Sequence, residues 1–314
     1  MRLLAVFALA WCSLLADAAV LVYHRFDDGR FPTTSISTDK LREDFAWLKA
    51  NQYHVIPLEN LVDTLQKGQP VPPKTVVLTI DDGYRSFYES GLEVFKEFGY
   101  PFTLFVYTEA TDGNFSDFMS WETLREVSQY GSVQLHTHSH PHLTRLDDSA
   151  LENEIAQAAA LFEENMGYRA RFLAYPYGEY DTRVREAHRA HGFEALFNYN
   201  GGIVGQKADL FNLDRTGVSG RWPIKSLVDR TMLNVRWEAL EVQDGHIGAI
   251  RAILPESKAK QVLLVVTGYP DRWIEAKDGL VEIDYNQPIK NRRTLVALKD
   301  GQGGIATRLI IKKE

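Results

Sequence analysis

The sequence predicts an α/β fold, namely a distorted (β/α) barrel of about seven strands followed by a small C-terminal all-β module. Segments typical of strands alternate with segments typical of helices up to about Leu233. The segment Lys74–Tyr84 opens with a β-branched and apolar run, as in a parallel-sheet strand that helices cover on both faces. After Leu233, short strands joined by Asp-Gly turns replace the helices.

The N-terminal residues resemble a secretory signal. An apolar stretch from Leu3 to Leu15 follows one cation, and a small-x-small site stands at Ala16–Ala18. We therefore expect residues 1–18 to be a signal peptide and the protein to be secreted or periplasmic. A transmembrane helix needs about 20 apolar residues, so an integral span is not expected, although a retained anchor is the alternative.

Composition excludes some classes of protein. With 45% hydrophobic and 11% aromatic residues in 314, the chain can bury one large core, or one large and one small core. Acidic residues outnumber basic ones by 42 to 35 and no dense Lys/Arg cluster occurs, which argues against a nucleic-acid partner. The one cysteine, Cys12, lies in the predicted signal, so the mature protein would lack disulfides. The sequence does not indicate an oligomeric state.

We assign residues 19–232 to the barrel and residues 233–314 to the β module. The predicted barrel strands, in chain order, are Ala19–Tyr23, the strand from Lys74, Phe102–Tyr107, Val133–Leu135, Phe172–Tyr175, Phe193–Phe197 and Leu213–Val218. Several of the intervening helices begin at a capping side chain and end at a glycine, as Asp148–Met166 does before Gly167. Successive strand-helix units predict a parallel, right-handed sheet, and the lack of a dinucleotide-binding fingerprint favours closure into a barrel.

In the β module, strand-like segments recur at short intervals. They are Val235–Val242, His246–Ile253, Gln261–Thr267, Leu280–Ile283, Thr294–Leu298 and Ala306–Ile311. Asp-Gly pairs at Asp244, Asp278 and Asp300 predict tight turns. Because no low-complexity linker precedes the module, we expect it to be docked on the barrel.

Acids and histidines follow two of the barrel strands. Asp81 and Asp82 end the strand from Lys74, and His136 and His140 lie in the segment HTHSHP after Val133–Leu135. Such positions meet at the carboxyl edge of a parallel sheet, where two imidazoles and a carboxylate suit a catalytic zinc ion, with Asp82 as the natural third ligand. The alternatives are a simple Asp-Gly turn and a non-specific histidine tract.

Three motifs resemble those of the polysaccharide deacetylases, carbohydrate esterase family 4. They are TIDDG at Thr79–Gly83, HTHSHP at His136–Pro141 and LAYPYG at Leu173–Gly178. The resemblance covers roughly Ala19–Val218, and the opening LVYHRF and the AYPYG form are most similar to the secreted branch that deacetylates poly-N-acetylglucosamine. It implies a secreted, metal-dependent hydrolase that removes N-acetyl groups from a polysaccharide containing N-acetylglucosamine.

The resemblance also implies roles for individual residues. Asp82, His136 and His140 would hold a divalent metal, with zinc expected, and Asp81 would be the general base. The backbone N–H of Tyr177 would help to bind the oxyanion. These roles agree with the chemistry of amide hydrolysis, because a metal lowers the pKa of bound water and a neighbouring free carboxylate can accept its proton.

The sequence departs from the family pattern at two places. Ala174 stands where many members carry an arginine that orients the base, so Arg215 is the substitute candidate, with an ordinary surface ion pair as the alternative. The family's late leucine-x-histidine motif, which supplies the general acid, has no match, since Val262–Thr267 lacks a histidine. His24, at the end of the first strand, is the candidate acid, and a histidine bonded to a loop carbonyl is the alternative.

The main hypothesis is therefore a metal-dependent polysaccharide N-deacetylase whose partner is an N-acetylated polysaccharide. One alternative is a catalytically impaired polysaccharide-binding protein with a deacetylase fold, and another is an amidase for small N-acyl compounds. The presence of Asp81 favours an enzyme over a binding protein, because a binding protein needs no second carboxylate beside the ligand set.

Overall fold

The structure, a computed structural model, describes residues 17–255 and 257–312. Apart from Asp17 and Ala18, the predicted signal peptide lies outside the described residues. Ala18 is the first residue of the first strand, and its N–H donates a 2.8 Å hydrogen bond to the Val204 carbonyl. In the described ranges, none of the helices combines the length and the apolar character that crossing a membrane requires.

Eighteen strands were found in the described part of the chain. Those before the β module are β1 (Ala18–Tyr23), β2 (Arg25–Phe26), β3 (Ser35–Ile36), β4 (His54–Val55), β5 (Thr75–Ile80), β6 (Thr103–Val106), β7 (Ser132–Leu135), β8 (Phe172–Ala174), β9 (Ala195–Phe197) and β10 (Thr216–Gly217). The later ones are β11 (Thr231–Met232), β12 (Arg236–Gln243), β13 (His246–Ile253), β14 (Gln261–Val266), β15 (Arg272–Lys277), β16 (Leu280–Pro288), β17 (Arg293–Lys299) and β18 (Gly304–Ile311).

Eight α-helices accompany them in the same residues. They are α1 (Thr38–Ala50), α2 (Leu58–Gln66), α3 (Leu92–Phe98), α4 (Thr108–Asp112), α5 (Trp121–Val127), α6 (Asp148–Met166), α7 (Thr182–Ala190) and α8 (Lys225–Val228). A π-type turn, Phe87–Gly91, leads into α3, and 3₁₀ turns cover Leu143–Arg145 and Pro176–Gly178.

The first sheet is parallel and curves into a half-barrel, so the predicted fold class is confirmed. Seven strands run in the order β10-β1-β5-β6-β7-β8-β9, and β4 also pairs with β5. The segment before β10 also contacts β9, because the Leu213 N–H donates to the Leu196 carbonyl at 2.9 Å. One segment, formed by β10 and the residues before it, thus bonds to β1 on one side and to β9 on the other, as a distorted barrel requires.

Both faces of the central strands are buried, which explains their continuous apolar sequence. Leu21 and Leu78 belong to the core between the sheet and the outer helices. Their neighbours Val20 and Val77 point the other way, into a second core with Phe105. Because successive strand residues alternate between the faces, a strand buried on both sides needs apolar residues at every position.

Helix ends follow the capping residues closely. Ser120 accepts a hydrogen bond from the Thr123 N–H at the start of α5, and Gly167 ends α6 with a left-handed φ of 76°. At the start of α1 the Ser37 side chain accepts a hydrogen bond from the Lys40 N–H in the same way.

The second sheet has eight strands in the order β11-β18-β17-β14-β15-β16-β13-β12. All pairs are antiparallel except that of β11 with β18. The turns at Asp244-Gly245 and Asp278-Gly279 have positive φ at both residues, as two-residue hairpins require. The strand Arg272–Lys277 was not predicted, because five of its six side chains are exposed or half-buried and little apolar pattern remains.

Candidate active site

Two adjacent carboxylates leave the end of β5 with different partners. Asp82 has a φ of 74° and Gly83 a φ of 79°, so the chain turns sharply immediately after Asp81. A side chain at Gly83 would come within 2.9 Å of the Val106 side chain, which leaves room only for glycine. As a result Asp81 contacts Arg215, and Asp82 contacts the two histidines that follow β7.

Asp82, His136 and His140 form a compact three-residue cluster. The Asp82 Oδ1 atom lies 3.4 Å from His136 Nε2 and 3.3 Å from His140 Nε2, and the three ligand atoms lie within 4.8 Å of one another. His136 Nδ1 lies 2.8 Å from the Ala174 carbonyl, to which it must donate, so Nε2 is the ring nitrogen that a neutral His136 would offer to a metal ion.

The geometry of this cluster fits a divalent metal ion. Ligand atoms arranged tetrahedrally about zinc at about 2.0–2.1 Å lie roughly 3.3–3.4 Å apart. The two measured separations from Asp82 are 3.4 and 3.3 Å. Two imidazole nitrogens and one carboxylate oxygen are also donors that zinc and similar ions accept. The three residues could therefore hold a metal ion.

Arg215 reaches Asp81 with both ends of its guanidinium group. Nη1 donates to Oδ1 and Nη2 to Oδ2, each at 2.7 Å. Arg215 is fully buried and Asp81 is 3% exposed, so this is a buried bidentate pair rather than a surface ion pair. Further hydrogen bonds from Arg215 to the Asn198 carbonyl and the Thr79 hydroxyl fix the guanidinium plane.

The charges of these groups are strongly coupled. Burial raises the pKa of Asp81, but the charges of Arg215 and His136 outweigh it and hold that pKa below its ordinary value. Burial likewise opposes ionisation of Asp82, yet hydrogen bonds from His136 and His140 bring its pKa well below the usual range. Both carboxyl groups are therefore ionised at neutral pH.

His24, half-buried after β1, lies at the same mouth of the barrel. Its charge, when present, lowers the pKa of both Asp81 and Asp82, which places its ring near both carboxylates. The ring of Tyr199 stands edge-on to it with centroids 6.0 Å apart. Over residues 17–255 and 257–312 we find no hydrogen bond from this ring to a loop carbonyl, the alternative considered for it.

Tyr177 lies in the 3₁₀ turn after β8 with a left-handed φ of 59°. Its side chain is 48% exposed, and its ring stacks on His142 at 4.2 Å and stands edge-on to His140 at 4.6 Å. The turn thus places Tyr177 directly beside one imidazole of the cluster.

Two other tyrosines lie close to the cluster. Burial, followed by the charge of Asp82, raises the pKa of Tyr84 to about 12. The Tyr107 ring lies 5.3 Å from that of His140. Both are aromatic residues near strand ends, but nothing in the pattern distinguishes them from ordinary rim residues.

The sequence analysis missed Glu154, which holds the histidine loop. This buried acid on α6 accepts hydrogen bonds from the backbone N–H groups of His138 and Ser139 and from the Ser139 hydroxyl. His138 itself bonds Thr108 through Nδ1 at 2.8 Å and is not part of the cluster. No local pattern in a long amphipathic helix marks one glutamate among several as a loop anchor.

Comparisons with known proteins agree with this architecture. Residues 68–196 match the family model described as polysaccharide deacetylase. A poly-beta-1,6-N-acetyl-D-glucosamine N-deacetylase of Escherichia coli K12 is 33% identical over 145 residues, 42% of this chain and 20% of that protein. The alignment therefore spans about a fifth of that relative's length.

A Staphylococcus epidermidis protein with the same description is 24% identical over 198 residues, 59% of this chain and 68% of that protein. Among solved structures, the Streptococcus pyogenes deacetylase PplD in complex with acetate has a TM-score of 0.63 at 20% identity, covering 68% of this chain and 97% of that one. This last similarity supports the fold.

Proposed function

The chain contains a polysaccharide deacetylase domain, and we propose that it is a secreted, metal-dependent enzyme that removes N-acetyl groups from a polysaccharide containing N-acetylglucosamine. Relatives named for that activity on the β-1,6-linked polymer support the choice of substrate. One observation carries the proposal of catalysis: Asp81 is held by Arg215, apart from the Asp82, His136 and His140 cluster, yet close beside it.

In this proposal the two carboxylates do different work. Asp82 is a ligand, together with His136 and His140. A divalent ion bound there supplies Lewis acidity, which polarises the amide carbonyl and lowers the pKa of water. Asp81 Oδ2 lies 3.9 Å from His136 Nε2, which is near enough to the ligand set to accept the proton of the attacking water.

The remaining residues serve the later part of the hydrolysis. We assign the backbone N–H of Tyr177 as a donor to the developing oxyanion, because its turn stands against His140. His24, at the same mouth, would donate a proton to the departing amine. Water thus divides between the products, with its oxygen in acetate and its protons on the amine.

The test is acetate release from N-acetylated β-1,6-glucosamine oligomers by the purified chain, with and without a chelator. Asp81→Asn should lower kcat by about 10²–10⁴-fold, the usual contribution of a general base. His138→Ala is the matched control, since His138 lies in the same loop but outside the cluster. Equal acetate release by wild type and Asp81→Asn would remove the base assignment, and binding without release would favour a binding protein.

A further inference from the structure

Two consecutive arginines of the β module contact the barrel loops that surround the site. Arg292 donates from Nε to Glu179 Oε2 at 3.2 Å and from Nη2 to the Thr144 hydroxyl at 2.8 Å. Glu179 is only 2% exposed, and it also accepts from His142 Nδ1 at 3.0 Å. His142 in turn stacks on Tyr177, so Arg292 supports the turn that carries this residue.

Arg293 supports the next loop along the barrel. Its Nη2 atom donates to the Tyr199 carbonyl at 2.6 Å and to Asn200 Oδ1 at 2.7 Å. Within this loop the Asn200 N–H donates to Asn198 Oδ1, and the Asn198 carbonyl accepts from Arg215 Nε at 3.0 Å. A continuous chain of hydrogen bonds thus runs from the β module to the arginine that holds Asp81.

The two supported loops also touch each other. A side chain at Gly178 would come within 2.6 Å of Tyr199 Cβ and 2.7 Å of the Tyr199 nitrogen, so the turn and the loop pack without a gap. The Tyr199 ring faces His24. Displacement of either loop would therefore disturb Tyr177 and the surroundings of His24 together.

Partial burial of the Arg293 guanidinium costs desolvation free energy, which packing of the module alone would not require. Burial lowers its pKa, and in the described parts of the chain it forms no ion pair with a carboxylate. Its guanidinium instead donates hydrogen bonds to a carbonyl oxygen and an amide oxygen of one loop. The charges of Glu179 and Asp214 favour the charged form of Arg293 from a distance, without forming an ion pair with it.

We propose that the β module is a working part of the active site, in which Arg292 and Arg293 are positioning residues for the loops of Tyr177 and Tyr199. This inference rests on the proposed function for its effect on turnover. Its structural half, the tethering of two loops, does not depend on the reaction.

The test compares Arg292→Ala and Arg293→Ala with Arg251→Ala, a control on β13 whose side chain is exposed and lies 3.9 Å from Glu282. Hydrogen exchange followed by mass spectrometry should accelerate in residues 175–180 for Arg292→Ala and in residues 198–203 for Arg293→Ala. The strands of both sheets should keep their protection. In acetate release, kcat should fall at least tenfold for each variant while the control stays within twofold of wild type.

Lysine variants separate positioning from simple loss of packing. Arg293 reaches both acceptors through one nitrogen, and its Nε is buried without a partner among the described residues, so Arg293→Lys should keep kcat within about threefold. Arg292 reaches Glu179 and Thr144 through two different nitrogens, so Arg292→Lys should recover less.

The inference is overturned if hydrogen exchange in both loops is unchanged. It is also overturned if exchange accelerates throughout the β module and the loops exchange no faster than the module does. Faster exchange in the loops with an unchanged kcat would overturn the positioning role, although the loops would still be shown to be tethered by the two arginines. If wild type releases no acetate, the proposed function fails, and the exchange results still decide the tether.

Discussion

Replacing Arg215 by methionine is the sharpest test of how the site is held together. The substitution keeps an unbranched side chain of similar length but removes two 2.7 Å bonds to a carboxylate that is 3% exposed. Removing one partner of a buried ion pair costs about 3–5 kcal/mol, because the other charge stays buried without compensation. Against a typical total stability of about 5–15 kcal/mol, the loss should be obvious in urea unfolding at pH 7.

The dependence of this loss on pH identifies its cause. The pKa of Asp81 is lowered in the folded protein, so its ionisation contributes stability that is present above the ordinary value of 3.8 and is lost as pH falls through the folded value. Without Arg215 that contribution disappears. The difference in unfolding free energy between wild type and Arg215→Met should therefore be largest near neutral pH and shrink below about pH 4.

A double variant provides the control. Asp81→Asn combined with Arg215→Met removes both charges, so it should be more stable than Arg215→Met alone while remaining inactive. The reasoning is refuted if Arg215→Met loses less than about 1 kcal/mol at pH 7, the range of a surface ion pair, or if its loss is the same at pH 4 and pH 7.

Three further predictions concern the cluster of Asp82, His136 and His140 and the turn beside it. Burial lowers the pKa of His136, but the charges of Asp81 and Asp82 outweigh burial and raise that pKa above 6.5. Zinc that binds His136 must therefore displace a proton. Zinc affinity measured by calorimetry should fall about tenfold per pH unit below the raised pKa. Asp82→Ala should abolish stoichiometric zinc binding by metal analysis, whereas His138→Ala should retain it. Gly178→Ala should lower the melting temperature more than Gly167→Ala. Both glycines have a positive φ, which costs an alanine about 1–2 kcal/mol, but of the two only Gly178 also faces close backbone. Equal losses of melting temperature would contradict this.

The elements that the sequence predicts best are those whose burial forces a pattern. The strand at Thr75–Ile80 is apolar at every position because both faces are covered, and the glycine after α6 is required by a left-handed φ. The short strand His54–Val55 and the exposed strand Arg272–Lys277 were missed, because few of their side chains are buried and the surrounding sheet, rather than local preference, keeps them extended.

The same distinction applies to the site. The positions of Asp82, His136 and His140 follow from strand ends and could be predicted to lie together. The roles of Glu154 and Arg292 could not be predicted. Each acts through one side chain that tertiary packing brings into hydrogen-bonding contact with residues far away in the sequence. Such supporting contacts leave no periodicity or local motif in the chain.

The position of Arg215 explains why an alanine is acceptable at position 174. Ala174 is fully buried in the inner core that also contains Phe105, and the Arg215 guanidinium lies 5.3 Å above the Phe105 ring. Arg215, directly before β10, thus reaches across the interior of the barrel to Asp81. A second arginine from position 174 would bring two cations to one carboxylate in a space with little water, and the desolvation of the extra charge would go uncompensated. Arg215 already bonds both oxygens of Asp81, so a small, uncharged residue on β8 is the favourable choice.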